Sequence, residues 1–116
     1  MNYEVHLFGG NTDGEGQVGI CINNTYGSIC DDFWDELDAT VICHQLKLDG
    51  GHAIPISGAN FSIDTTMELI AIDNVRCLGS ESSISECLVD SNPECDHFEA
   101  AGVICQHPGM STIIHF

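Results

Sequence analysis

Basic side chains are almost missing from this chain: Lys47 and Arg76 are the only two in 116 residues, against 18 Asp and Glu and a formal charge of −16. Nucleic acid and anionic membranes need clustered Lys and Arg to meet phosphates and release counterions, so both are excluded as expected partners. Long apolar runs are missing as well. No stretch approaches a membrane span, which excludes direct membrane insertion by a helix, and Met1-Asn2-Tyr3-Glu4 has neither the basic n-region nor the apolar h-region of a signal peptide. The chain is therefore expected to be a piece of something larger, with targeting or anchoring segments elsewhere. No Cys-x-x-Cys pair occurs, which argues against a zinc ribbon. Catalytic signatures are absent too: there is no G-x-S-x-G, and His6, His44, His52, His97, His107 and His115 are scattered without a recognisable triad. An enzyme is not expected.

What is present is one domain's worth of chain, 43% apolar with 12 Gly and 3 Pro, the composition of a folded module. Seven cysteines, at 21, 30, 43, 77, 87, 95 and 105, point to disulfides and an oxidising compartment. The triplets Asn23-Asn24-Thr25 and Asn60-Phe61-Ser62 are glycosylation sequons and fit the same compartment. The acids favour cations and basic surfaces as partners. Their bland explanation is solubility alone.

In chain order, residues 3–8 alternate as a strand closed by Gly9-Gly10, and 16–22 form a second strand with Val18, Ile20 and Ile22 on one face and Cys21 on the outer face. Asn23-Asn24 turns the chain into a third strand, Tyr26 to Cys30, making a hairpin. Gly14-Glu15-Gly16-Gln17-Val18-Gly19 matches the dinucleotide fingerprint, but strand alternation follows it where a helix is required. Asp35 as N-cap, Asp38 at N3, and Leu37, Val41, Ile42 and Leu46 at helical spacing predict a helix over 36–47, ended by Gly50-Gly51. Residues 49–66 read as a long loop with room for one short strand. Met67 to Ile72 is an apolar strand, Ser82 to Cys87 a serine-capped helical turn, and Cys95 to Cys105 a closing strand. His107 to Phe116 reads as linker or tail.

Gly27-Ser28-Ile29-Cys30-Asp31-Asp32-Phe33-Trp34-Asp35, Asp38-Ala39-Thr40-Val41-Ile42-Cys43-His44-Gln45-Leu46, Ile72-Asp73-Asn74-Val75-Arg76-Cys77, and the stretch from Cys95 to Cys105 with His97, Glu99 and Gly102 together resemble the scavenger receptor cysteine-rich domain. The match covers about residues 3 to 106. It implies an α+β fold, a curved sheet of about six strands cradling one helix, stapled by Cys30–Cys95, Cys43–Cys105 and Cys77–Cys87, although spacing alone leaves fifteen pairings of six cysteines open. Gly14 and Leu48 stand where the family's eight-cysteine group carries its extra pair, so the chain resembles the six-cysteine group. Cys21 matches no family cysteine and is expected to be a free thiol or a bridge to another chain.

Members of this family often hold calcium on two aspartates and a glutamate, which here are Asp31, Asp32 and Glu99; a weaker second site would use Asp35, Asp73 and Glu94. Independently, a Cys30–Cys95 bridge would draw three carboxylates together, and they repel unless a cation neutralises them. Oxygen donors favour Ca²⁺, or Mg²⁺, over Zn²⁺. Trp34 is expected to anchor the core and His97 to be a structural hydrogen-bonding residue. The resemblance implies an extracellular, non-catalytic receptor or adhesion module, of the kind used in innate immunity, that meets a protein, glycan or anionic ligand through Ca²⁺. The alternatives are an assembly module, dimeric through Cys21, and an accessory domain of a larger extracellular enzyme.

Overall fold

The computed structural model describes residues 3–10, 12, 14–22, 24–48, 53–57, 70–90 and 99–105. Alternating apolar side chains put Val5 on β1 (Glu4–Gly9) and Val18 and Ile20 on β2 (Glu15–Ile22) onto one buried face, and the two strands pair antiparallel from Glu4↔Cys21 to Gly9↔Gly16. A tight turn then returns the chain as β3 (Thr25–Ile29), antiparallel to β2. Gly16 decides how closely these strands approach. Its φ is +154°, and a Cβ there would lie 2.7 Å from the Phe8 carbonyl oxygen and 2.8 Å from the Phe8 nitrogen. Strand packing therefore accounts for the central glycine of the dinucleotide-like match.

The helix, α1 (Glu36–Gln45), starts as the sequence indicates: Asp35 accepts from Asp38 N, Asp38 accepts from Asp35 N, and the capping box is complete. It ends earlier than residue 47 and without Gly50-Gly51, which lie outside the described residues. Lys47 takes a left-handed φ of 64°, with Lys47 N bonded to His44 O and Leu48 N to Cys43 O, so a lysine fills the place usually given to glycine. Val41, Ile42 and Cys43 are buried, but Leu37, expected on the same stripe, is 46% exposed.

The remaining strands are β4 (Ala53–Ile56), β5 (Ile70–Arg76), the short β6 (Leu88–Asp90) and β7 (Gly102–Cys105). Neither β4 nor β6 has a clear sequence signal, and each is only three or four residues long. The sheet order is β4-β7-β2-β3-β5-β6, with β1 on the other edge of β2. Pairing is antiparallel throughout except for β3 beside β5, so the sheet is mixed. The expected small α+β domain, a curved sheet around one helix, holds, with seven strands among the described residues. The run expected as a strand from Met67 is described from Ile70 and continues to Arg76, and a 3₁₀ turn, Ile84–Glu86, is capped by Ser83.

The core lies between sheet and helix, where Val18, Ile20, Ile29, Val41, Ile42, Ile72, Val75, Ile84 and Val103 are almost wholly buried. Cys43–Cys105 ties α1 to β7, and Cys77–Cys87 ties the end of β5 to the start of β6. Cys30 is also disulfide-bonded; Cys95, its expected partner, lies outside the described residues.

Candidate metal centre

The candidate site forms where β3 stops being a strand. Ala101 N donates to Ile29 O and Asp31 N to Glu99 O, both at 2.7 Å, while Cys30 bridges to Ala100 and Cys30 N donates to Ile72 O. Residues 99–101 are thereby laid beside 29–31, which brings Glu99 to Asp31 through the backbone before any side chain is considered. The chain then turns. Trp34 N bonds to Asp31 O at 3.0 Å across a turn whose Phe33 has φ 61°, and the buried Trp34 ring donates from Nε1 to Gly102 O at 2.9 Å. Trp34 is thus a core anchor that pins the acidic loop to β7.

The result is a cluster of Cys30, Asp31, Asp32 and Glu99 whose potential donor atoms lie within 4.8 Å of one another. The Cys30 sulfur is spent in a disulfide, so the usable donors are three carboxylates. Like charges at such separations repel by about 1 kcal/mol per pair even at the dielectric constant of water. A hard divalent cation with oxygen preference removes that repulsion, and this donor set suits Ca²⁺ or Mg²⁺ better than Zn²⁺.

The other expected site residues are differently employed. Asp35 is committed to the helix cap, and Asp73, half-buried on β5, accepts from Asn74 N at 2.6 Å. Glu94 lies outside the described residues, as do the sequon residues Asn23 and Asn60 and His97; among the described residues Asp35 and Asp73 join no cluster of three donors. A group formed by Cys77, Glu81 and Cys87 offers only one carboxylate, since both cysteines are bridged. Backbone N–H groups of Leu78 and Gly79 hold that Glu81 carboxyl below its ordinary value. Cys21 is a free, half-buried thiol, opposite Glu4 on β1 and Tyr26 on β3, next to the mutually packed rings of His6, Phe8 and Tyr26.

Asp38 has a role that its local sequence does not reveal. It is 1% exposed, and besides closing the capping box it accepts from Cys77 N at 2.8 Å, fastening the start of α1 to the end of β5. Burial pushes its carboxyl up to about 6, against the pull of the Cys77 and Asp35 N–H groups. The capping box is legible at a spacing of three residues; the partner 39 residues away is not.

Comparison with known proteins fits this architecture. Residues 8–106 match the family model of the scavenger receptor cysteine-rich (SRCR) domain, and the chain belongs to that family. It is 38% identical over 109 residues to lysyl oxidase homolog 2B of Danio rerio and 35% identical over 107 residues to lysyl oxidase homolog 2 of Homo sapiens. Each alignment covers 91% of this chain but only 14% and 13% of those relatives, so the chain spans a small part of their length. Among solved structures, the third SRCR domain of murine neurotrypsin superposes with a TM-score of 0.79 at 34% identity, covering 91% of this chain and 98% of that one. The dimeric form of the SRCR domain of mouse MARCO gives a TM-score of 0.69 at 36% identity, covering 88% and 94%. SRCR domains with disulfides are typically extracellular.

Proposed function

We propose that this domain is a non-catalytic extracellular recognition module that holds ligands through Ca²⁺ at Asp31, Asp32 and Glu99, with Mg²⁺ as second choice. The observation that carries this reading is the convergence of three carboxylates within 4.8 Å, two on the loop after β3 and one on the segment laid beside it. The Asp31–Glu99 backbone bond and the Trp34 anchor set the spacing in advance, so little ordering entropy opposes metal uptake. Bound Ca²⁺ would supply open coordination positions for sulfate, phosphate or carboxylate groups of a protein or glycan. An affinity of roughly 10⁻⁴ to 10⁻³ M is enough at extracellular calcium levels. A second site at Asp35, Asp73 and Glu94 would be weaker, because Asp35 and Asp73 already accept backbone N–H groups.

A surface of formal charge −16 repels polyanions, so their binding is expected to need the metal. Immobilised heparin is the probe: retention in 2 mM Ca²⁺, lost on chelation and in Glu99→Gln, is the expected result (roughly the millimolar range of extracellular calcium sites). Retention that survives full chelation would overturn the mechanism.

Two further readings have specific support. The lysyl oxidase homologues favour an accessory role beside a catalytic domain in a longer chain, a role that the carboxylate site could serve by docking that domain's substrate. The free Cys21 favours assembly into a homodimer, which a non-reducing gel would register as a band collapsing on reduction.

A further inference from the structure

At the N-terminal end of α1, exposed apolar side chains stand among acidic ones. Phe33 is 78% exposed and is held at φ 61°, a backbone region that a bulky aromatic residue rarely occupies. Leu78 is 82% exposed and Leu37 46% exposed, and the Leu37 side chain lies over Gly79, so that a Cβ on Gly79 would sit 3.0 Å from Leu37 Cδ2. Leu37 therefore lies against the segment that follows β5, at the residue next to Leu78 in the chain, while Phe33 stands two residues before the helix cap. Asp38, bonded to Cys77 N beneath them, keeps the two segments together. Single exposed apolar residues are ordinary, but here Phe33, Leu37 and Leu78, all exposed large apolar side chains among the described residues, stand around the start of α1 and the end of β5.

The charges beside this surface select the partner. Asp35 and Glu36 stand beside Leu37 at the start of α1; of the two basic residues, Arg76 ends β5 and Lys47 lies past the other end of α1. From this juxtaposition we infer that Phe33, Leu37 and Leu78 form a docking surface for a protein segment that presents an aliphatic side chain flanked by arginines. The aliphatic group covers the leucines, a guanidinium stacks on the exposed Phe33 ring, and the flanking positive charge meets Asp35 and Glu36. This surface does not require the cation, so it stands apart from the metal reading and fails separately from it.

The test is an NMR titration of the oxidised domain with two end-capped peptides of equal charge, Gly-Ser-Arg-Leu-Arg-Ser-Gly and Gly-Ser-Arg-Ser-Arg-Ser-Gly. The leucine peptide is expected to bind about fivefold more tightly, the scale of one modest apolar contact, with shifts concentrated at 33–37 and 78–79 and unchanged in EDTA. Phe33→Asn keeps the left-handed turn and every acid but removes the ring. It should lose most of that preference while its melting temperature holds or rises. Equal binding of the two peptides, shifts spread over the whole acidic surface, dependence on Ca²⁺, or a Phe33→Asn variant that keeps the preference or loses thermal stability would each overturn the inference.

Discussion

Asp38 performs two structural tasks with one carboxylate, and burial makes those tasks pH-dependent. Its carboxyl titrates near 3.8 when unperturbed and is raised to about 6 in the folded domain. The folded state therefore keeps its proton to higher pH than the unfolded chain. Asp38's contribution to stability is fully present below pH 3.8 and is lost as pH rises through about 6. A shift of this size corresponds to roughly 3 kcal/mol. Glu81 and Glu86 are held low by backbone N–H groups and act in the opposite sense, but both side chains are largely in water, where such effects are weak. Asp38→Asn should consequently show a flatter fall in melting temperature between pH 4 and pH 6 than the parent domain (roughly the span of the Asp38 shift). Identical slopes would mean that Asp38 is not the buried titrating group.

At the level of elements, the strands and the helix with strong local signals were legible and the ones held by distant partners were not. The alternation in 16–22 and the Asp35/Asp38 capping box each encode their structure within a few residues. By contrast, β4 exists because Ala53–Ile56 finds the edge of β7, and β6 because Leu88 pairs with Arg76 beside the Cys77–Cys87 bridge. The end of α1 differs from the expected residue 47 for another reason: glycine is the usual left-handed terminator, and here Lys47 takes that conformation. Gly16 shows the converse, a glycine whose purpose is visible only in three dimensions. Gly16→Ala should cost about 2 kcal/mol or more, because the new methyl meets the Phe8 backbone of the paired strand. That predicts a melting temperature lower by roughly 8 °C for a domain of this size. A change of under a degree would show that β1 can move aside without loss.

For the whole molecule, the covalent frame and the charge determine what the domain can do. Cys43–Cys105 closes a separation of 62 residues and Cys77–Cys87 one of 10, so the helix and the β5–β6 corner are fastened independently of a core this small. The acidic loop of the carboxylate cluster is held separately, by the Asp31 N to Glu99 O bond and by the Trp34 ring on Gly102 O. The sequence supplied the residues of this cluster through the SRCR-like motif, and the backbone path explains their meeting: Glu99 is far from Asp31 along the chain but adjacent through the Asp31 N to Glu99 O bond. Nothing local to Phe33, Leu37 or Leu78 could have revealed their common surface, because exposure is a property of the folded chain. With so few cations in the chain, the charge is one-sided, which favours the cations and basic segments proposed as its partners.

The central claim is that Asp31, Asp32 and Glu99 bind a divalent cation, and calorimetric titration of the oxidised domain with Ca²⁺, beside Asp32→Ala, tests it most directly. The account predicts saturable binding with a Kd at or below about 1 mM, accompanied by a higher melting temperature, and loss of both in the variant. No heat and no change in melting temperature at several millimolar Ca²⁺ (roughly saturating for extracellular calcium modules), or equal binding by Asp32→Ala, would contradict it and leave the carboxylates as a solvated acidic face.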